Sequence, residues 1–333
     1  MTKKILITGG TGFIGSHLAE KYVAKGYKVT VFDRYNPNYN LGNLAQSEFK
    51  SKINFIFGDI RDYDSIYKAA KGQDNVIHLA ALIGIPYSYI SPLAYVKTNL
   101  EGTYNLLEAC KNLKTKKIFI TSTSEVYGSS QYIPIDEKHP LVPQSPYSAS
   151  KIAADNLALS YHYSFNLPVN IIRPFNTFGP RQSERAIIPT IINQILDGSS
   201  KNINLGNTNP TRDFNYVEDI CQGFYRATIA NLSPGNVLNL CTGNEISIKK
   251  TVLIISELMN SEIKIRTSKR RKRPLKSEVL RLCGSNKKAK KLINWKPVYT
   301  KEKGFKKAIL KTINWYKQNK KAFKSYSGKK YII

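Results

Sequence analysis

No apolar run in this chain approaches the ~18 residues that a membrane-spanning helix needs, so a transmembrane class is excluded at the outset. Cysteine is scarce: Cys110, Cys221, Cys241 and Cys283 are widely spaced, with no Cys-x-x-Cys pair and no Cys/His cluster. That argues against a disulfide framework or a zinc site, predicts no bound metal, and suits free thiols in a reducing compartment. Between Met1-Thr2-Lys3-Lys4 and the first glycines lies only Ile5-Leu6-Ile7, too short a core for a signal peptide, so a cytoplasmic protein is expected. Internal repeats and low-complexity tracts are also lacking. Acidic residues are few, 23 against 51 basic ones, for a net charge of +28.

The basic excess gathers in stretches 264–273, 287–291 and 301–330. Such runs suit nucleic acid or an anionic surface, and they equally suit solvated faces of a protein with lysine-rich composition. Lys, Asn, Ile and Tyr are abundant throughout, which favours the second reading together with an anionic small substrate. No nucleic-acid or membrane partner is therefore expected. With 41% hydrophobic and 11% aromatic residues over 333 positions, the composition fits a sizeable core in a two-part protein, not general disorder.

The hydrophobic pattern predicts strands at 3–8, 27–32, 53–57, 75–79, 116–122 and 169–172, with helices at 13–25, 93–113 and 147–165. This alternation predicts an α/β fold, a doubly wound parallel sheet of Rossmann-like type. The turn after the first strand reads Gly9-Gly10-Thr11-Gly12-Phe13-Ile14-Gly15. Glycines at 9, 12 and 15 suit a tight turn, close approach to a pyrophosphate and close helix–strand packing, with the helix N-terminus facing the phosphates. The second strand runs into Asp33, whose carboxylate suits both hydroxyls of an adenosine ribose and favours NAD. Arg34 beside it leaves room for the phosphorylated cofactor. Asp59 ends the third strand where an adenine amino group could be met, while Asp62 suits a helix N-cap. Ala80-Ala81 offer small side chains where a cofactor backbone passes. Segment 35–52 reads as a loop with a short helical turn and 82–92 as a loop carrying Tyr87. Asn99, Gly102 and Thr103 inside the 93–113 helix imply close packing on a neighbour.

The most informative stretch is 118–151. Ile118-Phe119-Ile120-Thr121 turns polar at Ser122-Thr123-Ser124-Glu125, a poor ending for a buried strand and a good one for a site. Tyr147 and Lys151 lie one turn apart on the next helix and share a face. A tyrosine titrates near ~10 unless a neighbouring ammonium, or a positively charged nicotinamide, stabilises its phenolate; with both, Tyr147 becomes a base near neutral pH. His78 reads as a packed strand residue.

After Arg173-Pro174 the pattern changes to loops rich in turn residues, with helices at 187–196, up to 229, 246–259 and 302–318 and strands at 202–205 and 237–240. The expected organisation is an NAD-binding domain over 1–173, rejoined by about 215–241, and a substrate-binding domain over 174–214 and 242–333. The latter lacks a second glycine fingerprint. Arg181, Arg185, Arg212 and Arg273 are candidates for a diphosphate, since a planar guanidinium matches two oxygens. Asn176 suits either a substrate phosphate region or a turn.

Taken in order, Thr8-Gly9-Gly10-Thr11-Gly12-Phe13-Ile14-Gly15, His78-Leu79-Ala80-Ala81, Tyr147-x-x-x-Lys151, Arg173-Pro174-Phe175-Asn176 and Arg212-Asp213-Phe214 resemble the extended short-chain dehydrogenase/reductases, the nucleotide-sugar epimerases and dehydratases. The resemblance covers nearly the whole chain. Ser122-Thr123-Ser124-Glu125-Val126-Tyr127-Gly128 resembles the 4,6-dehydratases among them. Stretches 83–89, 143–151 and 273–279 look similar to the dehydratases of legionaminic acid synthesis, which act on GDP-N-acetylglucosamine.

That resemblance implies NAD held by Gly9, Gly12, Phe13, Ile14, Gly15, Asp33, Asp59, Ile60, Leu79, Ala80, Ala81, Tyr147 and Lys151. It implies a sugar nucleotide held by Tyr87, Asn176, Arg185, Arg212, Arg273 and Glu278, and catalysis by Thr123, Ser124, Glu125, Tyr147 and Lys151. Tyr147 would take the proton of the sugar 4-hydroxyl as C4 is oxidised, with Thr123 orienting that hydroxyl. Glu125 would remove the C5 proton, water would leave from C6, and hydride would return there. Ser124 stands where related dehydratases have an aspartate that protonates the leaving hydroxide, so here that proton must come from a relayed water or from Glu125. A homodimer through helices 93–113 and 147–165 is also implied. UDP-glucuronate decarboxylase, which also carries Thr-Ser-Glu, and nucleotide-sugar 4-epimerase begin with the same C4 oxidation. A cofactor-sensing or RNA-binding protein on this fold is the non-enzymatic alternative, against which the retained Tyr147/Lys151 pair stands.

Overall fold

The computed structural model describes residues 2–271 and 273–319. Strands β1 (Lys4–Thr8), β2 (Lys28–Arg34), β3 (Ile53–Gly58), β4 (Asn75–His78), β5 (Lys117–Thr121) and β6 (Val169–Pro174) alternate with helices α1 (Phe13–Ala24), α2 (Tyr63–Ala70), α3 (Ile85–Ile90), α4 (Pro92–Tyr95), α5 (Gly102–Asn112) and α6 (Pro146–Phe165). There follow β7 (Thr177–Phe178), α7 (Ile187–Asp197), β8 (Asn202–Leu205), β9 (Thr211–Arg212), β10 (Asn215–Tyr216), α8 (Val217–Ile229), β11 (Val237–Leu240), β12 (Ile246–Ser247), α9 (Ile248–Leu258), β13 (Lys264–Thr267), α10 (Lys287–Ile293) and α11 (Lys301–Gln318). Seven strands form one parallel sheet in the order β11-β6-β5-β4-β1-β2-β3, the doubly wound α/β architecture expected from the alternation.

The short apolar runs become central strands because both faces are covered. Ile5 and Ile7 of β1 pack with α1 and α8 side chains on one face. Leu6 packs with Ile66 of α2 and Leu106 of α5 on the other. The strand ends gather at one edge of this sheet, and α6 starts beside them. Ser145 caps α6: its Oγ accepts from the Ser148 amide at 3.1 Å while the Ser148 hydroxyl accepts from the Ser145 amide at 3.0 Å. Pro146 occupies the first turn, where its missing N–H costs nothing. Tyr147 therefore sits at a firmly started helix end.

Several expectations need correction. The 82–92 segment is not a plain loop: Pro86 in its first turn favours α3. The single helix expected at 93–113 is split into α4, a π-type turn over Val96–Glu101, and α5. Asn99 in that turn is pulled inward, its side chain bonding both the amide and the carbonyl of Leu82. The basic run at 264–273 contains β13, which pairs parallel with β8, and 287–291 opens α10. The helix expected from 246 begins two residues later, because Ile246-Ser247 pairs with Thr211-Arg212 as β12. Lys272 and the basic run beyond residue 319 lie outside the described residues. Among the described residues no helix is long and apolar enough to cross a membrane.

Candidate active site

The glycine loop follows β1 and is built for close contact. Gly9 has φ +68°, the left-handed region that favours glycine. A Cβ on Gly15 would lie 2.2 Å from the Gly9 carbonyl oxygen, so only glycine lets α1 approach the loop. A Cβ on Gly12 would meet only that same oxygen, at 3.2 Å, leaving the loop's outer side open. Gly12 caps α1 without any side-chain bond. An open glycine cradle at a helix N-terminus fits the diphosphate of a dinucleotide. Phe13 and Ile14 form the first turn of α1.

Asp33, the penultimate residue of β2, lies beside this loop, accepting from the Thr11 amide at 2.9 Å and the Thr11 hydroxyl at 2.5 Å. Asp59 is gripped by Arg61, with Nε–Oδ1 at 2.9 Å, and that guanidinium holds its carboxyl below the usual range. The acceptor expected for an adenine amino group is thus engaged by a neighbouring side chain. Ile60 is buried against Gly102 of α5, where a Cβ would come within 2.9 Å of it. Leu79, Ala80 and Ala81 continue from β4. The Ala80 amide donates to the Thr8 hydroxyl at 3.2 Å, and that hydroxyl bonds His78 Nδ1 at 2.7 Å. Burial, helped by the nearby Lys151 charge, lowers His78 to about 3, so it is neutral.

Lys151 is buried and donates to the Thr121 carbonyl at 2.7 Å. Burial lowers its pKa, against the pull of Asp155. Burial pushes the Tyr147 phenol well above its usual range; a hydrogen bond with Thr123 works the other way, and Glu125 adds to the rise. The pair shares one helix face as the spacing predicts, yet the protein alone keeps this phenol protonated. A positive charge beside it is needed to make it a base. Tyr95 packs edge-on against Tyr147 and Tyr87 against Tyr95, each at 6.2 Å between ring centres. Arg185, exposed, acts electrostatically on Tyr95.

Thr123, Ser124 and Glu125 open a tight 3₁₀ turn after β5. Thr123 Oγ1 accepts from the Glu125 amide at 3.2 Å. Ser124 and Glu125 are 2% and 8% exposed, so this is a buried end and not a solvated one. Arg273 Nη1 stands 3.6 Å from Glu125 Oε2, and Arg212 Nη2 stands 3.5 Å from Glu278 Oε1. Burial lowers the Arg212 pKa, opposed by Glu125 and Glu278. Two acids and two arginines therefore form one charge-balanced cluster beside the phenol. Asn176 adds a shielded Oδ1 with no partner among the described residues, an acceptor left for something else.

Arg181 is a correction. It forms a two-point ion pair with Glu20 of α1, at 2.9 Å for each bond, and is committed to bracing the cofactor-side helix. Sequence reading missed Tyr95 and the role of Asn99, which donates to the Ser150 hydroxyl at 2.9 Å and so ties α6 to the 82–99 segment. A polar residue inside an apolar helical pattern was the only sign of it. Stretches 83–89, 143–151 and 273–279, far apart in sequence, meet at Ser277: its hydroxyl bonds Tyr89 Oη at 2.5 Å and the Gln144 carbonyl, and Gln144 Nε2 donates to the Lys276 carbonyl at 2.9 Å.

The family model described as GDP-mannose 4,6 dehydratase matches residues 6–308. A protein of Methanocaldococcus jannaschii named as a putative UDP-glucose 4-epimerase is 35% identical over 321 residues, 95% of this chain and 99% of that protein. A dTDP-glucose 4,6-dehydratase of Actinoplanes sp. is 35% identical over 261 residues, 76% of this chain and 81% of that one. The crystal structure of DesIV, a dTDP-glucose 4,6-dehydratase from Streptomyces venezuelae with NAD bound, superimposes with a TM-score of 0.86 at 27% identity, covering 97% of this chain and 99% of that one.

Proposed function

The chain belongs to the extended short-chain dehydrogenase/reductases that serve as nucleotide-sugar dehydratases and epimerases, and from that premise we propose that it is a 4,6-dehydratase converting GDP-N-acetylglucosamine to the 4-keto-6-deoxy sugar nucleotide. NAD is its cofactor, and the open glycine loop, Asp33 and Lys151 would hold it. Bound there, NAD supplies the hydride acceptor for C4 and the hydride donor for C6, with no net redox change. The observation that carries the dehydratase reading is Glu125, a buried carboxylate set in the same pocket end as Thr123 and Tyr147.

The residues divide the work. Tyr147 accepts the 4-hydroxyl proton, and Thr123, hydrogen-bonded to the phenol, orients that hydroxyl. Glu125 removes the C5 proton once a 4-keto group has acidified it. Arg212 and Arg273 offer guanidinium donors to the diphosphate, and the shielded Asn176 Oδ1 offers an acceptor. The Ser124 hydroxyl is no acid at neutral pH, so the proton for the leaving hydroxide comes from Glu125, which has just taken one from C5, or from one held water. The meeting of 83–89, 143–151 and 273–279 around Ser277 supports the choice of sugar, because the three stretches that resemble the GDP-N-acetylglucosamine enzymes form one wall.

Incubating the enzyme with GDP-N-acetylglucosamine in deuterated water is expected to yield a product short of one water and carrying deuterium at C5, read by mass spectrometry. An unchanged mass would remove the dehydratase reading for this sugar. A 4-epimerase is the second reading, favoured by the Methanocaldococcus relative; it predicts a C4 epimer of unchanged mass and no deuterium at C5.

A homodimer is part of the proposal. Leu93, Val96, Tyr104, Tyr163 and Phe165 are exposed apolar residues on α4, the π-type turn, α5 and α6. Size-exclusion chromatography should give a dimer, and Tyr104→Asp should shift it toward monomer. A wild-type protein that elutes as monomer at micromolar concentration sinks the idea.

A further inference from the structure

One buried ion pair behind the site has no part in the chemistry above. Asp155 lies on α6 one turn beyond Lys151 and two beyond Tyr147, and is 1% exposed. Its Oδ2 accepts from Ser122 Oγ at 2.6 Å and from Arg173 of β6, with Nε at 3.1 Å and Nη2 at 3.0 Å. Arg173 reaches further: Nη1 donates to the Tyr127 hydroxyl at 3.0 Å, and the guanidinium lies 5.1 Å from that ring's centre. The Tyr127 hydroxyl in turn donates to Asn239 Oδ1 of β11 at 2.8 Å. Ser122 and Tyr127 flank the segment that holds Thr123, Ser124 and Glu125, so one ion pair grips both ends of it. The other carboxylate oxygen, Oδ1, is shielded from solvent and takes no hydrogen bond among the described residues. A buried carboxylate left half satisfied is costly unless its charge serves something nearby. The nearby cation on the same helix is Lys151, whose ammonium bonds the carbonyl of Thr121, the residue next to Ser122.

We propose that Asp155, with Arg173, is a positioning pair for the reaction: it fixes both ends of the segment bearing Thr123, Ser124 and Glu125, and its carboxylate sustains the positive charge of Lys151. Burial works against that ammonium and Asp155 works for it. The other titratable groups facing Lys151 are Tyr147 on its own helix and His78 on β4, which burial keeps neutral. Arg173 on β6 is tied to Asp155. Neither residue needs to touch substrate, and both act through groups that do.

The test uses the intact NAD-bound protein labelled with ¹³C at lysine Cε, the Lys151 signal being assigned by its loss in Lys151→Arg. In Asp155→Asn, Lys151 should titrate about one pH unit lower than in wild type, the size expected on removing a nearby buried countercharge. The alkaline limb of the turnover profile should fall by the same amount. Ser122→Ala should leave the Lys151 titration in place and cut turnover about tenfold, because only the fastening is lost. A folded Asp155→Asn protein whose Lys151 titrates as in wild type overturns the electrostatic half, and full turnover in Ser122→Ala overturns the fastening half. Should Asp155→Asn not fold, Asp155→Asn/Arg173→Gln removes the pair with charge balanced. Lys151 should then fall in the same direction by less than in Asp155→Asn, because the opposing Arg173 charge is removed as well, and an unmoved Lys151 there refutes the proposal equally. The turnover arm rests on the proposed reaction, whereas the resonance arm needs no sugar, so a wrong substrate and a wrong role for Asp155 are told apart.

Discussion

Glu125→Gln is expected to lower turnover by about 10²–10⁴-fold, the range for losing a general base, while NAD stays bound. Glutamine keeps the shape of the side chain and an oxygen for Arg273, which stands 3.6 Å away, but it cannot accept the C5 proton. In the proposed mechanism the oxidation at C4 is assigned to Tyr147, Thr123 and Lys151, and Glu125 acts only afterwards. The variant should therefore stall after the first half of the reaction, with the cofactor reduced and no deuterium entering C5. Absorbance of the reduced nicotinamide and mass spectrometry of the quenched sugar check both halves together. Normal loss of water in Glu125→Gln would show that another group takes this proton and that Glu125 is not the base.

The second large effect is on stability. Asp213 is fully buried and accepts from the Thr242 amide at 2.9 Å, the Thr242 hydroxyl at 2.6 Å, the Gly243 amide at 2.9 Å and the Gly284 amide at 3.1 Å. Burial pushes its carboxyl up to about 6 even against these donors. Asp213→Leu would strand three buried backbone amides, each costing about 1–3 kcal/mol. A loss of about 3–9 kcal/mol, seen as a large fall in the urea midpoint with unchanged slope, is expected. A loss below about 1 kcal/mol would mean that the three loops hold one another without this carboxylate. The same variant should weaken substrate binding, because Arg212 is the preceding residue and takes its place from this knot.

Asp213 also illustrates what could be read from the residues alone. Arg212-Asp213-Phe214 stood out as a motif, and the structure divides it: the arginine faces the charge cluster, the aspartate ties three loops, and the phenylalanine enters the core. The glycine loop was legible because the spacing of Gly9, Gly12 and Gly15 has a steric cause that acts locally. Tyr147 and Lys151 were legible because one helical turn puts them on one face. Asp62 was read correctly as an N-cap alternative, its side chain accepting from the Asp64 amide at 3.2 Å. What escaped was set by partners far away in the chain. β13 hides in a run of basic residues because its pairing with β8 is a main-chain matter that composition does not mark. Nothing around Arg181 announces Glu20, 161 residues earlier. The π-type turn at Val96–Glu101 carries Asn99, whose side chain bonds the main chain of Leu82, a partner outside the helix.

The place of β11 in the sheet has a consequence for how the chain comes into being. β6 is buried along its whole length, and one of its two neighbours, β11, starts 63 residues after Pro174 at Val237. While the chain grows from its N-terminus, β6 can pair with β5 at once but presents a bare, apolar edge until that later stretch has emerged. Such an edge is a template for pairing with another chain. Slowed synthesis between residues 174 and 237 should therefore favour aggregates of nascent chains, and a separately supplied peptide spanning Val237–Leu240 should compete with them for the same edge.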